Sequence, residues 1–316
     1  MQPMAFVFPG QGSQAVGMLD AWGDHPAVRA TVQEASDALG EDVGRLIKDG
    51  PKEALALTTN TQPVMLVAGV ACWRAWQAEG GARPAAVAGH SLGEYSALVA
   101  AGALPLAKAV PLVRLRAAAM QRAVPVGTGA MAAILGLDAT KISAACADVT
   151  RGMGQKGVEL VEAVNFNDPV QTVIAGSKAA VDKACEVLKG LGAKRALLLP
   201  VSAPFHCSLM KPAAEELKHA LDAIDFAVPE IPVVNNIDVT IENQPERIRD
   251  ALYRQAFGPV RWVECVQKLK AMGVGVVVEC GPGKVLAGMT KRIDAELTGL
   301  AMYDPASLTE VKTLVG

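Results

Sequence analysis

The sequence has no Cys-x-x-Cys pair, no excess of either charge, no basic leader and no apolar stretch long enough to span a bilayer. Each absence excludes something. The six cysteines, Cys72, Cys146, Cys185, Cys207, Cys265 and Cys280, are too widely spaced for a zinc site or a disulfide framework, so buried reduced thiols are expected. Lys and Arg total 30 against 32 Asp and Glu, a formal charge of -2, which gives no nucleic-acid footprint and makes any charged partner site local. Met1 to Gly12 holds only a five-residue apolar run, unlike a signal peptide. Ala97 to Ala107 is interrupted by Gly102 and Pro105 and is far short of a membrane span. A soluble cytoplasmic protein is expected, and a monomer, because no stretch reads as a partner surface. There is no internal repeat or low-complexity tract.

What is abundant is core material: 51% of the 316 residues are apolar and 20% charged, enough for one large core and a second, smaller one. Met4 to Phe8 reads as a buried strand ending in the loop Pro9-Gly10-Gln11-Gly12. Pro63 to Gln77 reads as a helix, Pro84 to Gly89 as a strand and Leu92 to Ala101 as the helix after it, the repeating unit of an α/β sheet. Ala107 to Arg122 is a further helix, ending at Pro125-Val126-Gly127. The pattern then changes. Strands are predicted at 130–135, 158–165, 171–175 and 195–201, with helices at 139–149 and 178–191, the βαββαβ order of a ferredoxin-like unit. Helices at 212–224, 245–256 and 260–272 and strands at 233–237 and 274–279 then resume the α/β pattern, closing at Gly281-Pro282-Gly283. The predicted fold is an α/β core with a short parallel sheet, residues 1–126 and 202–316, carrying an inserted subdomain at 127–201.

Gly89-His90-Ser91-Leu92-Gly93 lies between a predicted strand and helix, the context that makes Gly-x-Ser-x-Gly a nucleophile elbow. Such a turn strains the serine and exposes its hydroxyl, while the amides that follow face developing negative charge. An unactivated serine needs a base, and the chain has four histidines. His25 and His219 read as surface residues, and the ring of His90 should diverge from the adjoining serine. By elimination the base is His206, in the loop Ser202-Ala203-Pro204-Phe205-His206-Cys207; the bland reading is a packed loop histidine. Arg116, one helix beyond the elbow, is either a surface snorkel, slightly favoured on sequence alone, or a bidentate partner for a carboxylate. Gln11 is either a turn residue or an amide donor beside the backbone amide of Leu92. Asn165 and Asn167 are either turn residues or part of the lining between the domains.

Taken together, Phe8 to Gln14, Gly89 to Glu94, Arg114-Leu115-Arg116, Gly127 to Met131, Asn165 to Gly176, Phe205-His206-Cys207 and Gly281 to Lys284 resemble the malonyl-CoA:acyl carrier protein transacylases of fatty acid and polyketide synthesis. The motifs span nearly the whole chain in the family's order. The resemblance implies an α/β-hydrolase-like core with a ferredoxin-like insertion and the site in the cleft between them. It implies Ser91 as nucleophile, His206 as base, Arg116 as clamp on the malonyl carboxylate, and Gln11 with the Leu92 amide as oxyanion hole. It puts Gln255 where a backbone carbonyl, in place of an acid, orients the histidine. Asn165 and Phe205 are then substrate-binding positions, Phe205 crowding an α-methyl branch by about 1 to 3 kcal/mol.

The implied partners are malonyl-CoA and acyl carrier protein, with no metal or redox cofactor, no nucleic acid and no membrane. Because carrier proteins are acidic, Lys189, Lys194, Arg195, Lys284, Lys291 and Arg292 are expected to form a basic rim, unless they are ordinary solvated charges. The rivals are an α/β-class thioester hydrolase, a non-catalytic carrier-binding scaffold, and a transferase serving a polyketide synthase in trans.

Overall fold

The computed structural model describes residues 2–153 and 159–315. Two sheets organise it. The first contains β1 (Met4–Phe8), β2 (Ala86–Gly89), β7 (Val233–Val234), β8 (Val276–Cys280) and β9 (Thr298–Met302); the second contains β3 (Gly129–Leu135), β4 (Val161–Asp168), β5 (Gln171–Ser177) and β6 (Arg195–Leu198). The first sheet is parallel throughout, in the order β7-β2-β1-β8-β9. Every residue of β1, β2 and β8 is buried, as expected of parallel strands covered on both faces. Phe6 of β1 meets Trp73 and Trp76 edge-on at 5.3 and 5.2 Å, anchoring the long helix Thr58–Ala78 to the sheet.

The second sheet is antiparallel, in the order β4-β5-β3-β6. With helices Ala139–Met153 and Lys178–Gly190 between its strands, this is the ferredoxin-like order the sequence pattern predicts. One face buries Ala132, Ile134, Val161 and Ile174 under these helices, while Met131, Ala133, Val173 and Ala175 on the other face join the main core. Period-two alternation thus gives one sheet two different partners.

Several segments differ from the sequence reading. The helix expected from Pro63 begins at Thr58, so Pro63 lies inside it and donates no amide to the turn before it. The strand expected over 233–237 stops at Val234, where Asn235 accepts the amides of Asp238 and Val239 and turns the chain. The helix expected from Val260 starts at Trp262, since Val260 is engaged by β4. Helices Pro26–Leu39, Val43–Asp49, Lys52–Ala56, Val285–Ile293 and Pro305–Val315, and strand β9, were absent from the reading. Val158, the expected start of β4, lies outside the described residues.

The insertion is fastened to the core along β4. Val260 donates its amide to Val164 O at 2.8 Å and accepts that of Phe166 at 3.0 Å. Asp168, at the buried end of β4, accepts Arg292 Nε at 2.7 Å. At the other end Glu162 accepts the amide and hydroxyl of Ser208 at 2.8 and 2.5 Å, holding the segment just beyond His206. Removing the guanidinium would leave the Asp168 carboxylate buried without its partner. Arg292→Ala is therefore expected to cost about 1 to 3 kcal/mol in urea unfolding, and Asp168→Asn in the same background to recover most of it. An R292A protein as stable as the parent would show that the pair does not fasten the domains.

Candidate active site

The carboxyl ends of β1, β2 and β7 lie side by side, so the loops after Phe8, Gly89 and Val234 converge at one edge of the sheet. Ser91 sits just past β2 with φ 53, the left-handed strain of an elbow. The approach is too close for side chains: a Cβ on Gly93 would lie 2.0 Å from Phe8 O, and one on Gly89 1.9 Å from Gly93 O. The turn is fixed from behind by Asn236, whose Oδ1 accepts Ser91 N and whose Nδ2 donates to Gly89 O, both at 2.8 Å. The Leu92 amide, at the mouth of helix Gly93–Ala100, and the Gln11 amide are bonded to no group among the described residues.

His206 is buried and also in left-handed backbone, φ 66. Its Nδ1 is 2.9 Å from the backbone carbonyl of Gln255 and its Nε2 is 2.6 Å from Ser91 Oγ. A carbonyl only accepts, so Nδ1 carries the proton and Nε2 presents its lone pair to the serine hydroxyl. Burial, reinforced by the Arg116 charge, pushes the imidazole down to about 3, so it is a neutral acceptor. Next to it, burial pushes the Cys207 thiol up to about 12, which removes it as a competing nucleophile. All six cysteines are buried and free.

Arg116 is 2% exposed and is no surface snorkel, which corrects the reading slightly favoured from sequence. Its Nη1 donates to Gln62 Oε1 at 2.8 Å, and its Nη2 to Gln255 Oε1 at 3.1 Å and to Ser91 Oγ at 3.3 Å. The guanidinium lies over the Tyr95 ring at 5.5 Å. Burial lowers its pKa, opposed by Tyr95 and the carboxylate of Glu94. Among the described residues its hydrogen bonds go to uncharged oxygens. A buried cation so placed, one hydrogen bond from a nucleophile, asks for an anion. Arg114, by contrast, faces outward and pairs with Glu41 at 2.8 Å.

The cleft is lined by Gln11, Gln62, His90, Ser91, Leu92 and Arg116 from one side and by Met131, Asn165, Leu199, Val201, Phe205 and His206 from the other. The residues singled out from sequence as site residues line it directly, except Gln255, which acts from behind, and Asn167, which is buried behind His90. The Gln11 side chain is exposed and its Nε2 donates to Thr58 Oγ1 at 3.4 Å, so at this position the backbone amide is the donor left over. Asn165 Oδ1 is buried without a partner, whereas Asn167 bonds the His90 ring at 2.8 Å. That bond and the neighbouring Trp262 ring, 5.5 Å away, turn His90 from the serine. His25 is a correction: its side chain is 14% exposed and packs edge-on against Trp22.

Sequence reasoning missed Gln62, Glu94 and Asn236. Gln62 is a polar residue in an almost wholly buried helix, a signal in itself. Asn236 follows a short strand, and only the strand order reveals that this strand lies beside β2.

Comparison with known proteins agrees with the geometry. A family model described as "Acyl transferase domain" matches residues 5–304. The chain is 53% identical over 309 residues to a malonyl CoA-acyl carrier protein transacylase of Escherichia coli strain K12, covering 98% of each. It is similar in structure to an acyl-carrier-protein S-malonyltransferase of Burkholderia pseudomallei, TM-score 0.95 and 62% identity over 98% of this chain and 99% of that one. A malonyl-transacylase solved with a type II PKS acyl-carrier protein also matches, at TM-score 0.95 and 51% identity over 99% of both chains.

The buried imidazole makes a pH prediction. With its pKa depressed, His206 stays unprotonated as pH falls from 7 to 5, so acylation measured as kcat/KM should hold nearly level there. An imidazole at its ordinary value would lose about twenty-fivefold over the same range. An acid limb near 6.5 would mean that His206 does not act as the buried base.

Proposed function

The chain belongs to the acyl transferase domain family, and from that premise we propose that it moves a malonyl group from malonyl-CoA to the phosphopantetheine thiol of an acyl carrier protein through an ester on Ser91. The observation that carries this reading is the buried Arg116 guanidinium, 3.3 Å from Ser91 Oγ and hydrogen-bonded only to uncharged oxygens among the described residues. A donor bearing a free carboxylate supplies the missing anion and is held with its thioester at the nucleophile.

In the first half-reaction Ser91 Oγ attacks the thioester carbonyl as His206 Nε2 takes its proton, and the Gln255 carbonyl steadies the imidazolium through Nδ1–H. The Leu92 and Gln11 amides receive the oxyanion. His206 returns the proton to the coenzyme A sulfur, which leaves. In the second half the carrier thiol attacks the ester carbonyl as His206 takes its proton, the bond to Ser91 Oγ breaks, and His206 returns that proton to Oγ, regenerating the serine. One acyl group and one proton move in each half with no change of oxidation state, so the reaction as written needs no metal or redox cofactor. Phe205 and Asn165 border the acyl position. Coenzyme A thioesters are intracellular, and a monomer in the cytoplasm completes the reading.

A carrier of a type II polyketide system is the second reading for the partner, favoured by the 51% identical transacylase solved with such a carrier. In either case an acidic carrier would be met by the exposed Lys189, Lys194, Arg195 and Lys291. Two of the expected rim residues have other ties, Arg292 to Asp168 and Lys284 to the Tyr303 ring at 4.9 Å.

Intact mass after brief exposure to malonyl-CoA should show a malonyl adduct in the native protein, none in Ser91→Ala, and much less adduct from acetyl-CoA. Steady Ser91-dependent release of malonate without an adduct would make the protein a hydrolase, and equal loading by acetyl-CoA would remove Arg116 as the clamp. Reversing Lys194, Arg195 and Lys291 to Glu should raise KM for carrier protein severalfold while leaving malonyl loading of Ser91 intact. Unchanged carrier kinetics would remove those residues from the docking surface.

A further inference from the structure

The reaction as derived leaves one buried acid of the site without a task. Glu94, on the first turn of helix Gly93–Ala100, is 2% exposed and makes no direct contact with the reacting atoms. Its Oε2 accepts two hydrogen bonds, from Asn236 N at 2.9 Å and from Gln255 Nε2 at 3.0 Å. Both donors belong to residues that hold the site. Asn236 fixes the elbow. Gln255 gives its backbone carbonyl to His206 and its Oε1 to Arg116, while its Nε2 also donates to Ser91 O at 2.9 Å.

A primary amide is nearly symmetric in shape, so a glutamine placed between a cation and other polar groups needs something to decide which end faces which. Burial pushes the Glu94 acid up to about 7, but its Oε2 faces two N–H donors and so accepts in either protonation state. By claiming Nε2 it leaves Oε1 as the end turned to Arg116; the reverse orientation would set two N–H groups against the guanidinium. Resting on the function proposed above, we propose that Glu94 is a positioning residue that, through the Gln255 side chain, aims the Arg116 guanidinium at the carboxylate of the acyl donor and steadies the backbone carbonyl that orients His206.

This role depends on reach and on acceptor chemistry more than on charge. Because the same Oε2 takes both bonds, the amide oxygen of a glutamine can stand in its place, and a small cavity bordered by Leu98 and Asn235 adjoins the residue. An aspartate keeps the charge and falls short by one methylene. The variants Glu94→Gln, Glu94→Asp and Glu94→Ala therefore separate the two contributions.

The readout is Ser91 acylation by malonyl-CoA and by acetyl-CoA, each followed by intact mass. Acetyl transfer needs His206 but has no carboxylate for Arg116. Glu94→Asp and Glu94→Ala should lower malonyl loading on the order of ten- to a hundredfold and acetyl loading much less, so the malonyl-to-acetyl ratio falls. Glu94→Gln should restore most of that ratio. Loss of correctly folded protein alone would lower both donors together and leave the ratio unchanged. An unchanged ratio in Glu94→Asp, or a Glu94→Gln variant as impaired in ratio as Glu94→Asp, overturns the positioning role. Should the native protein form no malonyl adduct at all, it is the proposed function that fails, and the two failures are distinguishable in the same experiment.

Discussion

A guanidinium buried to 2% exposure, whose hydrogen-bond acceptors among the described residues are all uncharged oxygens, is the constraint around which this site is built. Leaving a cation out of water without partners is costly, and here the cost is offset by oriented amide oxygens from Gln62 and Gln255, by the Tyr95 ring and by the field of Glu94. These partners hold the charge without neutralising it. The guanidinium thus remains available to an incoming anion and is already aimed, as the proposed selection of an acidic acyl group requires. Its field also acts on His206, adding to burial in keeping the imidazole neutral.

Gln255 links these effects. Its carbonyl takes the place an aspartate holds in many serine enzymes. A carbonyl fixes the tautomer as an aspartate does, without putting a second negative charge beside the nucleophile. Its side chain spans Arg116, Glu94 and the Ser91 carbonyl. The placement of the Arg116 guanidinium and the orientation of the His206 ring therefore pass through one residue, and both are tied to the backbone of the elbow.

The two domains share the work unequally. The parallel sheet brings three loops to one edge, and its side of the cleft supplies Ser91, Arg116 and the buried network around them. The insertion supplies Met131, Asn165, Leu199 and Val201, a mostly apolar wall that closes the cleft. It is held by the pairing of β4 with Val260, by the Asp168–Arg292 pair and by the grip of Glu162 on Ser208. The last contact lies two residues from the base, so the placement of the insertion bears on the geometry of His206 as well as on the shape of the cleft.

Much was legible in the sequence because it is local. A glycine-flanked serine between an apolar strand and a helix marks the elbow, since the strain at Ser91 and the approach of Gly89 to Gly93 arise within five residues, although Gly93 also meets Phe8 O of the neighbouring strand. Period-two strands alternating with amphipathic helices give the βαββαβ order of the insertion, and four histidines are few enough to single out His206. The three helices before Thr58, the last two helices and the final strand were missed. So was the environment of Arg116, because burial of a charged side chain depends on elements 54 and 139 residues away at Gln62 and Gln255. Asn236 reaches Ser91 across 145 residues only because β7 lies beside β2. The sequence by itself determined which residues have the chemistry to act; the tertiary structure alone decided which of them are taken out of water and set within hydrogen-bond reach of one another, since desolvation and alignment are properties of packing between distant segments.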